Sequence, residues 1–236
     1  MIELKKGLIY TLKINASKVN ILDFFRLSQY SSYQGRDIVG MVKSQSSTLL
    51  VNLNQTEEEL LQGCKSNTRN EIRRAIREDF FFEKVESIDE FVAYYNNFAL
   101  DKGLDVINND DLMKYGNHLI LFKSGKDDIT MTMHASIVDF DIKKVSLLYS
   151  ASIRLDDGID RKSVGFSNRF LHFKEFLAFK EMGYETYDFS GVCLDPSDNA
   201  KYQIGLFKQS FGGEITPAVR LYSIPMAIIM KIKSLL

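Results

Sequence analysis

The apolar positions of the chain change period several times, and each change marks an element. Residues 8–14 and 47–53 are apolar and β-prone and predict strands. Thr56, with Glu59 three residues on, forms a capping box and predicts the start of a helix. Across 66–78, Ile72, Ile76 and then Phe80 recur every four residues and predict a helix with an apolar stripe. Arg69, Arg73 and Arg77 recur at the same interval and give that helix one cationic edge. Residues 80–85 read as a strand. Residues 87–99 read as a helix opened by the Ser87/Glu90 capping box, and 110–115 as a shorter helix.

From residue 117 onward the period shortens. Residues 117–123, 129–140 and 144–152 predict an antiparallel meander, with a turn over 124–128. A polar loop over 156–165 leads into an aromatic-faced helix over 167–182, stopped by Gly183, and 184–190 predict another strand. Strand, helix, strand in this order makes a parallel crossover the default. Residues 224–236 read as a terminal helix docked on the core, too short to span a bilayer. Peripheral membrane contact through this helix is the alternative. Residues 15–46 show only partly helical character. The pattern predicts an α/β fold: a mixed, mostly antiparallel central sheet with helices on both faces.

Composition narrows the class. With 236 residues, 45% hydrophobic and 26% charged, the chain buries a core without help from metal or disulfide. Thirty Lys+Arg against 31 Asp+Glu leave a net charge of −1, so no nucleic-acid partner is expected. Cys64 and Cys193 form no C-x-x-C pair, which excludes a disulfide framework and a Cys-rich zinc site. No His/Asp/Glu group has metal-ligand spacing, so no metal is expected either. Without a leader-like run or an 18-residue apolar stretch, the expected location is the cytoplasm.

The most informative stretch for chemistry is Lys162-x-x-Gly165-x-Ser167, placed after a strand and at the opening of a helix. Free N–H groups at a helix N-terminus favour an anion, Gly165 lets backbone approach it, and Arg161 and Lys162 add charge. Arg161, Lys162, Ser163, Val164, Gly165, Ser167 and Asn168 are thus a candidate phosphate cradle. An exposed loop capped by Ser167 is the competing reading.

The meander, this loop and helix, and the following strand resemble the GNAT acyltransferases, whose (Arg/Gln)-x-x-Gly-x-(Gly/Ala) turn holds the pyrophosphate of acyl-CoA. Here Lys162 and Ser167 depart from that turn. Three blocks in order resemble the Fem-type peptidoglycan aminoacyltransferases of the same superfamily. They are the 49–54 strand, followed after a helix by Arg69-x-x-Ile72-x-x-Ala75; Tyr187-Asp-Phe-x-Gly191; and Phe207-Lys-x-x-Phe-Gly-Gly213. The resemblance covers about residues 47–222. It implies a truncated first GNAT-like unit or strand-rich extension over 1–64 and a GNAT-like acyltransferase domain over 65–236. The implied activity is N-acyl transfer from acyl-CoA, as cosubstrate, to a nucleotide-linked amino sugar of cell-surface polysaccharide biosynthesis. An aminoacyl-tRNA-dependent transferase acting on a peptidoglycan precursor is the alternative, and a non-catalytic binding module the rival. A homodimer is a further implication.

The resemblance marks Lys208 as lying at the reaction centre, where its ammonium would stabilise an oxyanion. A lysine on a strand rim is the alternative reading. Asp188, in an apolar strand, is either a structural anchor or a base. His134 sits mid-strand as a further catalytic candidate or a satisfied polar side chain. Tyr149 is a candidate acid for a leaving thiolate, with core packing as the alternative reading. Arg69, Arg73, Arg77 and Tyr33 are candidates for holding the acceptor and its phosphates, against a solvated helix face and a packed loop.

Overall fold

A computed structural model describes residues 1–6, 9–153 and 160–233. Leu8 of the first expected strand, positions 156–159 of the expected loop and 234–236 of the terminal helix lie outside the described residues. The strands are β1 (Ile2–Lys6), β2 (Tyr10–Ile14), β3 (Leu27–Ser31), β4 (Met41–Asn52), β5 (Phe81–Lys84), β6 (Leu119–Lys126), β7 (Ile129–Asp139), β8 (Lys144–Ser152), β9 (Thr186–Val192) and β10 (Glu214–Ser223). They form one sheet in the order β1-β2-β3-β10-β4-β9-β8-β7-β6-β5. Only β2–β3 and β8–β9 pair in parallel. The helices are α1 (Glu57–Gly63), α2 (Ser66–Arg77), α3 (Ile88–Lys102), α4 (Asn109–Met113), α5 (Arg161–Glu181), α6 (Asn199–Gln209) and α7 (Ile224–Lys233). This is the mixed, mostly antiparallel α/β architecture that the sequence predicts. Strands of the first 64 residues and of the remainder share the sheet, because β10 lies between β3 and β4.

Adjacent residues on a strand point to opposite faces, and the two faces carry different helices. On β6, Phe122 packs with Phe179 of α5, whereas Leu121 joins Phe91 and Tyr95 of α3. The α5 side holds the larger core, with Phe173, Phe176 and Phe179 closed over Val145, Tyr187 and Phe189.

Both expected helix starts hold: Thr56 and Glu59 form the full capping box of α1, whereas at α3 only half of the expected box forms, Ser87 accepting from the Glu90 N–H. Three details differ from expectation. The buried face of α2 is Thr68, Ile72 and Ala75, while Ile76 is 46% exposed, because α5 covers only that side of the helix. β6 runs on to Lys126, and the turn is Asp127-Asp128, both at left-handed φ (+51° and +61°), as a tight two-residue hairpin needs. The stretch read as a loop is already helix: Asp160 caps α5, and Arg161 is its first residue.

Candidate active site

β8 and β9 pair only briefly. Lys144 faces Thr186, Val145 faces Tyr187 and Ser146 faces Asp188; beyond these pairs β8 stays with β7 and β9 with β4. A wedge therefore opens in the middle of the sheet. At its apex Ser190 adopts φ +60°, and its hydroxyl donates to the Leu147 carbonyl at 2.6 Å. A non-glycine residue in this region stores strain, which collects at functional sites.

α6 sets Lys208 on the stretch of β9 that β8 has left. Its Nζ donates to the carbonyls of Phe189 (2.7 Å) and Gly191 (2.8 Å). An ammonium has three N–H donors, so one is left for a ligand. Burial lowers the Lys208 pKa to about 8, with the Asp188 charge acting in the opposite direction. The group is therefore mostly charged at neutral pH. The third sequence block also has a structural part: Gly213, at φ +86°, immediately precedes β10, where a Cβ would lie 2.4 Å from the Leu50 carbonyl. Lys208 itself lies on a helix, not on a strand rim.

Asp188 is 2% exposed and fully engaged. One carboxylate oxygen accepts the Ser190 N–H at 2.8 Å and the Thr48 hydroxyl, and the other meets Lys144 Nζ at 2.6 Å. These contacts tie β4, β8 and β9 together at the apex, the pattern of an anchor.

Beneath α5 lies a second polar group. Glu175 Oε2 receives the Tyr187 hydroxyl at 2.9 Å and faces His134 Nδ1 at 3.0 Å and His172 Nδ1 at 3.5 Å. All four residues are 1% exposed or less. Burial, reinforced by the His134 charge, pushes the His172 pKa down to about 3. Burial works to raise the Glu175 pKa, but His134 and the hydrogen bonds from both imidazoles outweigh it and leave the carboxyl below its ordinary range. His134 Nε2 lies 3.3 Å from Asn168 Oδ1, so two sequence candidates do meet here, with Asn168 only partly buried. The ligand atoms of His134, His172 and Glu175 lie within 4.8 Å of one another, a set that could hold a metal ion. The spacing His172-x-x-Glu175 on a helix face was its only sequence signal.

The phosphate-cradle candidates occupy the first two turns of α5. Arg161 and Lys162 are exposed. The Lys162 and Ser163 N–H groups both donate to the Asp160 carboxylate, at 3.1 and 3.2 Å, and the Val164 N–H goes to the Asp160 carbonyl. The Gly165 carbonyl accepts from Arg169, and Ser167 is buried against Thr132 and Ser124. Tyr149 lies on β8, tilted 4.8 Å from Tyr95, and burial raises its pKa. On α2, Arg69 bonds the Gln62 carbonyl and side chain, Arg73 stands 3.8 Å from Glu58, and Arg77 is exposed. Tyr33 is packed edge-on against Tyr30, its hydroxyl directed to the Ser17 carbonyl. The structure thus brings Lys208 and Asp188 to the wedge and leaves the α2 arginines and Tyr33 elsewhere.

No protein-family model matches the chain, and no characterised protein matches it by sequence. Solved structures do match by fold. FemX superposes with a TM-score of 0.68 at 12% identity, over 92% of this chain and 82% of that one. L-PGS from Bacillus licheniformis gives 0.61 at 12% identity, over 96% and 82%. A C-terminal domain assigned to a lysylphosphatidylglycerol synthetase from Agrobacterium fabrum gives 0.60 at 12% identity, over 93% and 79%. At this identity the likeness is one of fold: the chain has the fold of FemX and L-PGS.

Proposed function

We propose that the chain is a transferase that moves an acyl group onto an amine by direct attack inside the β8–β9 wedge. The observation that carries this reading is Lys208: a half-buried ammonium held by two β9 carbonyls, with one donor left uncommitted. In the proposed reaction a neutral amine attacks the carbonyl carbon of a thioester. The carbonyl electron pair moves onto oxygen, where the Lys208 ammonium stabilises it. Collapse forms the C–N bond and breaks the C–S bond, and the proton lost by the amine ends on the thiol.

The donor we assign is acyl-CoA, and the acceptor a nucleotide-linked amino sugar. A net charge of −1 favours a small donor over a long polyanion. One observation favours a second donor, an aminoacyl-tRNA: the Asp160 carboxylate holds the N–H groups that a pyrophosphate would use. The solved structures of similar fold include one named for lysylphosphatidylglycerol synthesis, which fits aminoacyl chemistry on this scaffold.

The test is calorimetry with CoA and acetyl-CoA, followed by a transfer assay on an amine panel. Binding that Lys162→Glu abolishes, and turnover that Lys208→Met abolishes in a folded protein, support the acyl-CoA reading. Turnover from aminoacyl-tRNA without CoA binding moves the donor to the second reading. Absence of transfer from either donor overturns the enzyme.

A further inference from the structure

On the sheet face away from α5, a cleft of about 320 Å³ lies over the wedge. Alternation along the strands puts it there: Ser146 lines it, while Val145 beside it packs under α5. Its lining includes Leu147 and Gly191. These are the residues whose carbonyls receive Ser190 Oγ and Lys208 Nζ, so the cleft borders the proposed reaction centre.

The lining has a definite chemistry. Ser32, Ser46, Thr48, Ser146 and Ser190 carry hydroxyls, of which those of Ser46, Thr48 and Ser190 already donate to Ala218, Asp188 and Leu147 and keep only acceptor capacity, and Ile14, Tyr115 and Ile137 form an apolar wall. Among the described residues, the Ser32 and Ser146 hydroxyls have no hydrogen-bond partner within the chain. Among the described residues, Arg220 of β10 is the only charged one in the lining. It is exposed, and among the described residues no carboxylate pairs with it. An unpaired guanidinium at the edge of a hydroxyl-lined cleft matches one kind of guest: a polyhydroxylated molecule with a phosphate at one end. Arg recognises phosphate through a planar fork of donors, hydroxyls exchange hydrogen bonds with a sugar, and an apolar wall takes a ring face.

We propose that this cleft is the acceptor site, that its ligand is a sugar phosphate or nucleotide sugar, and that Arg220 holds the phosphate. The site is distinct from the α2 arginines and from Tyr33, none of which lines it. The proposal rests on the transfer reading for the word acceptor, but its binding claim is separable. The binding probes are glucosamine 1-phosphate, UDP-glucosamine, glucosamine and inorganic phosphate, each titrated into the full chain without donor and followed by ligand-observed NMR.

The expected result is binding of the two phosphorylated sugars, weakened about ten- to one-hundred-fold by Arg220→Gln. Arg220 is exposed, so this variant does not threaten the fold. Arg73→Gln on α2 leaves binding unchanged. Affinity that is indifferent to Arg220→Gln, an equal loss in Arg73→Gln, or no binding of either phosphorylated sugar overturns the proposal. Inorganic phosphate bound as tightly as glucosamine 1-phosphate overturns the sugar part. Tighter binding of UDP-glucosamine than of glucosamine 1-phosphate identifies a nucleotide sugar, and equal binding a simple sugar phosphate. If Arg220-dependent binding stands and transfer fails, the transfer reading falls alone. If transfer proceeds and Arg220→Gln leaves the acceptor KM unchanged, the cleft assignment falls alone.

Discussion

The molecule has two polar centres on β9, and they are built on opposite terms. Beneath α5, Tyr187 and the two imidazoles converge on Glu175, with every member 1% exposed or less. At the wedge, Lys208 is half-buried and its partners are backbone carbonyls. The sealed centre carries a strongly perturbed group, His172, pushed down to about 3, whereas Lys208 falls only to about 8. A strongly shifted pKa is a standard marker of function. Here it marks the core. What separates the two centres is access together with an uncommitted donor, and only the wedge has both.

The largest effect expected from this contrast is on stability. Glu175→Ala leaves a buried hydroxyl and two imidazoles without their common partner, and costs about 3–5 kcal/mol, as breaking a buried pair does. Urea unfolding measures it. Glu175→Gln, which keeps an acceptor, costs less. A loss of transfer in folded Glu175→Gln comparable to that of a Lys208 variant would erase the distinction between the centres.

Lys208→Met should show the reverse balance. Removing the proposed oxyanion donor lowers kcat by about 10²–10³-fold. Stability falls by only about 1–2 kcal/mol, from the two carbonyls left without a donor. Steady-state kinetics beside thermal unfolding separates the two.

Titration sharpens the same comparison. His172 has a lower pKa folded than unfolded, so between pH 3 and 6.5 the unfolded chain binds the extra proton. Stability therefore drains away as pH falls through that window, and His172→Phe flattens the slope. Lys208 is also depressed in the folded state, from 10.5 to about 8. Its linkage makes stability rise with pH across that interval, while the catalysis proposed for the ammonium declines above pH 8. Activity and stability that moved together there would remove Lys208 from the reaction centre.

How much of this was legible in the sequence depends on which residues are asked. The crossover from β8 through α5 to β9 followed from period and order, because those segments pack by local pattern. β10 did not, since Pro217 speaks against a strand. The structure accommodates it because β3 pairs only with Leu221 and Tyr222, leaving β10 an edge at Pro217. α6 was hidden by Gly205, which breaks a helical pattern. It is tolerated because a Cβ there would lie 2.5 Å from the Cys193 carbonyl as α6 closes on β9. Lys208 was found through family resemblance, whereas Ser190, Glu175 and Arg220 acquire meaning only once distant strands are neighbours. Asp160 reads as an ordinary loop acid until the helix start is known.

The smallest stability change tests the wedge most directly. Ser190 pairs a left-handed φ of +60° with a hydroxyl that closes onto the Leu147 carbonyl. Ser190→Gly relieves about 1 kcal/mol of backbone strain but forfeits a hydrogen bond of about 1 kcal/mol, so the folded state changes little. Ser190→Ala keeps the strain, loses the bond and is destabilised by about 1–2 kcal/mol. The two variants share the missing hydroxyl and differ in strain. If the hydroxyl serves to hold β8 and β9 at the right separation, both lose transfer rate to a similar degree despite unequal stability. If strain positions the apex, Ser190→Gly alone loses rate. Equal stability for the two variants would show that this turn stores no strain, and the apex would then be shaped by the Asp188 anchor instead.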